Sequence, residues 1–210
     1  DMPRRPARSN VFFTFDYQLL AAQPVTQTVT YELTSHVQYR SAEPISFLSK
    51  RMGLQLPEGR NPRSLAWARR ERAAAGSEQA YVQRVLERFR DEGFVYSLTP
   101  PRLDLNSVDD FLFNTRSGFC GHYASAFVTL MRAAGIPARV VTGYQGGEIN
   151  PRGGYLIVRQ SDAHAWTEVL VDGAWRRIDP TAAVAPSRIE SGLSRAVADD
   201  EPVPLFARLD

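Results

Sequence analysis

The amino-acid sequence predicts an α+β fold, with a helix that bears the single cysteine packed on an antiparallel sheet and a β-rich part at the N-terminus. Three observations point there. Phe13, Phe15 and Tyr17 alternate ahead of a Thr/Val/Tyr-rich run over 25–39, a period of two that belongs to strands. Val82, Val85, Leu86 and Phe89 recur at i, i+3, i+4 and i+7, the stripe of an amphipathic helix. Asp172-Gly173, set between two apolar runs, is a strong signal for a two-residue hairpin turn.

Taken in order, residues 1–10 carry three arginines and two prolines with no apolar stretch behind them, which is not the pattern of a secretory signal. Strands are expected over 11–40, then loop or short helix over 43–59. Asn61-Pro62 supplies an N-cap and a first-turn proline for a helix ending near Gly76. Ser77 caps the next helix and Gly93 stops it. After the Pro100-Pro101 break a further helix starts at or just before Cys120. Its positions Ala124, Phe127, Val128 and Met131 share a face with the cysteine, and Gly135 with Pro137 ends it. Strands are expected at 139–144, 155–160, 165–171 and 175–179, with a glycine-rich segment over 146–154 expected to form a mobile flap beside the substrate cleft. Past Thr181 the chain is polar and proline-containing without a period. The division is therefore a β-rich part over 1–60, a core over 61–181, and a tail or linker over 182–210.

Composition removes several classes. No apolar run approaches the roughly 18 residues of a membrane span. Net charge is +2, and the basic residues, all arginine except Lys50, are scattered instead of forming a stripe with interleaved aromatics, so no nucleic-acid partner is expected. One cysteine allows neither an internal disulfide nor a cysteine-rich zinc site. The three histidines are dispersed and no His-x-x-x-His, EF-hand or CxxC spacing occurs, so neither a metal nor a cofactor is expected.

Chemistry concentrates at Cys120. A helix N-terminus stabilises a thiolate through its unpaired N–H groups and the positive end of the helix dipole, and Gly118 and Gly121 leave space beside the sulfur. The hairpin turn supplies its partners. Stepping back from Val171 opposite Ala174 brings Thr167 opposite Ile178 and Trp166 opposite Asp179. His164 is then the diagonal neighbour of Asp179 at about 7–8 Å between backbones, a gap that long side chains bridge. Asp179 would orient His164, and His164 would take the Cys120 proton. Trp166, on the same face, is a candidate to shield the pair or to contact substrate. His122 lies two residues past Cys120 on a helix and points elsewhere, as a packing or solvent-facing residue. His36 is assigned no role.

These residues resemble a known group. Gly118-Phe119-Cys120-Gly121-His122-Tyr123-Ala124, Arg132-Ala133-Ala134-Gly135-Ile136-Pro137-Ala138-Arg139, Ala163-His164-Ala165-Trp166 and Asp179-Pro180-Thr181 are similar to motifs of the bacterial transglutaminase-like superfamily, within the papain-like fold class. The resemblance covers about residues 77–181, and four motifs in order make it specific. It implies Cys120 as nucleophile, His164 as base and Asp179 as orienter. Its membrane-anchored branch implies a periplasmic ectodomain whose membrane contact lies only in segments absent from this chain. The activity implied is acyl transfer from a protein or peptide glutamine amide to a primary amine, with cell-envelope peptides among the possible donors. With one lysine, the chain is a poor acceptor for its own reaction. Two alternatives remain: hydrolysis of a peptide or amide by the same triad, and a non-catalytic binding module.

Overall fold

The structure is a computed structural model that describes residues 2–3, 11–14, 18–30, 32, 35–36 and 45–191. It divides into two compact units, Asp1–Ser49 and Lys50–Asp210.

In the first unit, β1 (Met2–Pro3) pairs with β4 (Ser35–His36), and β2 (Val11–Phe13) forms an antiparallel hairpin with β3 (Leu19–Ala21). The strands expected over 11–40 are thus short ones. Residues 22–30 carry no strand, and Phe15 and Tyr17 lie outside the described residues.

The chain passes from the first unit into the second within α1 (Phe47–Met52), and the second continues through α2 (Pro62–Ala74) and α3 (Glu78–Asp91). Ser77 caps α3 as expected, its Oγ accepting from the Ala80 N–H at 3.1 Å, and Gly93 follows in the left-handed region at φ 74°. Asn61 starts α2, but not as a side-chain cap. It is itself left-handed (φ 54°), and its Oδ1 accepts from the Val108 N–H at 3.0 Å. The free N–H groups of α2 go to buried Asp109, whose carboxylate accepts from Arg63 N at 3.0 Å and Ser64 N at 2.7 Å. Two segments more than forty residues apart therefore cap one another.

Then come β5 (Val95–Tyr96), α4 (Ser107–Asp110), a wide π turn (Phe111–Thr115), β6 (Ser117–Gly118) and α5 (Cys120–Ala133). Parallel pairing of β5 with β6 sets Tyr96 beside Gly118, two residues ahead of the cysteine. The stripe on α3 packs into an aromatic cluster: Phe89 meets Phe94 at 5.1 Å and Tyr123 at 5.5 Å between ring centroids, both edge to face. Tyr123 donates to the Val95 carbonyl (2.8 Å) and Tyr81 to that of Leu130 (3.0 Å), which anchors α5 from both sides.

Beyond α5 lie β7 (Ala138–Tyr144), a small hairpin of β8 (Glu148–Asn150) and β9 (Tyr155–Ile157), a 3₁₀ turn (Gln160–Asp162), β10 (Ala163–Val171) and β11 (Ala174–Ile178). The main sheet is antiparallel in the order β11-β10-β7, and α5 packs against β10 and β7. Asp172 and Gly173 both have positive φ (54° and 72°), the requirement of a two-residue hairpin turn, and the register pairs Thr167 with Ile178 as the sequence predicts. Thr167 and Val169 are buried beneath the helix, whereas Trp166 and Glu168 alternate onto the other face.

The glycine-rich segment forms a hairpin, closed by Asn150 Oδ1 accepting from Arg152 N and Gly153 N. Residues 182–191 are not a tail: a 3₁₀ turn (Pro180–Ala183) leads into α6 (Pro186–Ser191), with Ala185 and Arg188 buried. Their lack of period follows from brevity, since one short turn and six helical residues cannot display one. Residues 192–210 lie outside the described residues.

Candidate active site

Cys120 is the first residue of α5, following Phe119 in extended conformation (ψ 179°). The Phe119 N–H donates to His122 Nδ1 at 3.2 Å, and the His122 ring stacks edge to face on Phe119 at 4.4 Å. His122 is therefore a helix-capping and packing residue. Burial pushes its imidazole below the ordinary histidine range and keeps it neutral. Gly118 turns out to serve this packing and not a substrate. A Cβ there would stand 2.7 Å from the His122 Cβ and 3.0 Å from the Phe111 ring.

His164 and Asp179 meet. Nε2 of His164 and Oδ2 of Asp179 are 2.7 Å apart, with the imidazole fully buried and the carboxylate side chain 10% exposed. Asp179 reaches the ring from just past the end of β11, where it caps the 3₁₀ turn by accepting from Thr181 N at 3.1 Å. That second bond fixes the carboxylate while Oδ2 holds Nε2–H, so the neutral ring presents Nδ1 as its basic nitrogen. Nδ1 is buried and no partner reaches it with hydrogen-bond geometry, but the Cys120 thiol interacts with the same imidazole.

The charges follow from this arrangement. Burial pushes the Cys120 thiol up. His164, the Ala165 backbone and the Arg188 charge outweigh it and leave the thiol below its ordinary range. Burial pushes His164 down, and Asp179 and Cys120 more than restore it, leaving the imidazole above its ordinary range. Both shifts favour a thiolate–imidazolium pair.

Trp166 lies over this pair. Its indole stacks on His164 at 6.2 Å and 23°, and the Arg177 guanidinium sits 4.8 Å above the indole and 3.7 Å from Asp179 Oδ2. The indole rests on Gly143, directly opposite His164 in the sheet, where a Cβ would come within 2.8 Å of it. On the other side of α5, Phe119, Gly121, His122, Ser125, Phe111 and Leu103 line an open cleft of about 360 Å³. The β8–β9 hairpin is not among the residues lining it. His36 lies in the first unit, on β4. Among the described residues no group of three or more His, Cys, Asp or Glu is placed to hold a metal ion.

Comparison with known proteins is now decisive for the family. Residues 66–180, more than half of the chain, match the transglutaminase-like superfamily. The chain belongs to that superfamily. It is 50% identical over 186 residues, 88% of its length, to a protein-glutamine gamma-glutamyltransferase of Pseudomonas aeruginosa, of which it spans only 28%. Two crystal structures of the periplasmic domain of TgpA from Pseudomonas aeruginosa, one bound to ethylmercury, are 47% identical to it. The ethylmercury complex superimposes with a TM-score of 0.84 over 91% of this chain and 69% of the other, and the second structure with 0.87 over 93% and 68%. The transglutaminase-like match over 66–180 takes in the stretch that carries the four motifs, and the likeness to the TgpA periplasmic domain covers more than nine-tenths of the chain.

Sequence reasoning missed Tyr96, Arg177 and Arg188. Arg177 sits on β11 two residues before Asp179, so strand alternation alone could have found it. Tyr96 and Arg188 come from a two-residue strand and a six-residue helix, neither of which leaves a periodic signal.

Proposed function

We propose that the chain catalyses acyl transfer from the γ-carboxamide of a protein or peptide glutamine to a primary amine, through a thioester on Cys120. The observation that carries this is the buried 2.7 Å His164–Asp179 pair acting on a thiol at a helix N-terminus. In the reaction the Cys120 thiolate attacks the carboxamide carbon, and the C–N bond breaks as His164 gives its proton to departing ammonia. An amine then attacks the thioester and passes its proton to His164, and the thiolate leaves. Asp179 keeps the ring oriented and stabilises the imidazolium at both steps. Trp166 and Arg177 cover the pair and limit its access to water, which competes with the amine for the thioester. The Pseudomonas aeruginosa relative is a protein-glutamine gamma-glutamyltransferase, which supports the same chemistry. The solved neighbours are periplasmic domains, which supports a periplasmic location. Anchoring to the inner membrane would rest on segments outside these 210 residues.

The test is to incubate the protein with a glutamine-containing peptide and a labelled primary amine, following labelled product and released ammonia together. Both should appear in equal amounts, and neither with Cys120→Ala, whose fold is retained. Ammonia without incorporated amine would identify a hydrolase instead.

A further inference from the structure

Arg188 on α6 is a guanidinium buried to 1% exposure. Its Nη2 donates to the carbonyl of Ala163, the residue before His164, at 2.9 Å. Nε and Nη1 are also buried and make no hydrogen bond, and no carboxylate among the described residues pairs with the group. A buried cation is disfavoured unless its surroundings compensate it. The hydrogen bond to Ala163 ties this one to the strand end that places His164, and its charge also acts on the Cys120 thiol. Tyr96, 9% exposed on β5, belongs to the same cluster: the Arg188 side chain and the Cys120 backbone both act on its phenol. Burial, with the Cys120 charge adding to it, pushes the phenol up to about 12, so Tyr96 stays protonated and able to donate. The helix stays in place through Gln145 Nε2, which donates to the Ile189 carbonyl at 3.2 Å.

We propose that Arg188 is a positioning residue of the thiol site, pinning the strand end that carries His164 so that the imidazole stays set against the Cys120 thiol, with Tyr96 as its neighbour in the same cluster. The proposal rests on the reading of Cys120 as the nucleophile. Among the described residues, the other charged or titratable groups near the sulfur are His164, backed by Asp179 and Arg177, and neutral His122 on the same helix.

Cys120 is the only cysteine in the chain, so the pH dependence of its alkylation by iodoacetamide reports its thiolate alone, whether or not the protein transfers acyl groups. Arg188→Gln, shown folded by circular dichroism, should move the midpoint to higher pH and slow alkylation below neutrality about tenfold, one pKa unit being a factor of ten in thiolate. Arg188→Lys, which keeps the charge but loses the planar fork, should fall between that variant and the parent. Tyr96→Phe removes one hydroxyl and should give a smaller shift in the same direction, which keeps the test alive if Arg188→Gln does not fold. A folded Arg188→Gln, or failing that Tyr96→Phe, whose profile superimposes on the parent overturns the proposal. A shifted profile in a protein that releases no ammonia from glutamine would leave this inference standing and remove the proposed function.

Discussion

His164 is held by two partners that act in the same direction. Asp179 on Nε2 and the Cys120 thiol both favour the imidazolium, against burial that favours the neutral ring. The thiol is in turn drawn down by the imidazole, the Ala165 backbone and Arg188 against its own burial. The thiolate–imidazolium pair exists above the lowered thiol pKa and below the raised imidazole pKa, so opposite shifts widen its window from both ends. Activity should rise with pH as the thiol ionises and fall as the imidazolium loses its proton. Asp179→Asn removes a group that holds His164 up, so the alkaline limb should move to lower pH and the rate should drop by about 10²–10⁴-fold. Because the residues act as one unit, adding Asp179→Asn to His164→Ala should scarcely change the rate of the single variant. Losses that multiply in a kcat/KM comparison would show that the two act independently.

At the scale of elements, the site depends on short segments held by partners distant in sequence. The aromatic cluster and the Tyr123 hydroxyl fix α5, and hence the height of Cys120 above the sheet. The exchange of caps between Asn61 and Asp109 fixes α2 and α4. Asp109→Ala leaves two N–H groups at the start of α2, one of them buried, without a partner, and should destabilise the protein by about 2–3 kcal/mol. Urea unfolding measures that loss. The alkylation profile of Cys120 in the folded variant should be unchanged, since Asp109 does not contribute to the thiol's environment.

On the scale of the molecule, Cys120, His164, Asp179, Tyr96 and Arg188 all fall within Lys50–Asp210. A chain beginning at Lys50 should therefore unfold cooperatively and show the parent alkylation profile. One beginning at Asn61, the boundary read from sequence, should melt at lower temperature. It lacks the Gly53 carbonyl, which accepts from Ala138 N at 2.9 Å at the start of β7, and the Gln55 carbonyl, which accepts from Arg132 Nη1 at 2.7 Å. Equal melting temperatures would return residues 53–55 to the N-terminal part. We further propose that the catalytic unit runs through α6, because Arg188 ties that helix to the strand bearing His164.

What the residues determined by themselves is local. Ser77 and Gly93 bound α3, Asp172-Gly173 set the hairpin and its register, and that register brought His164 to Asp179, because turn chemistry and strand alternation act over a few residues. Tertiary structure decided the rest. Gly118 admits His122 instead of a substrate, Asp109 caps a helix more than forty residues away, and Arg188 reaches the site from a stretch that reads as a tail. Each of these depends on close approach between segments far apart in the chain, and neither periodicity nor spacing carries information about which distant surfaces come within a few ångströms of one another.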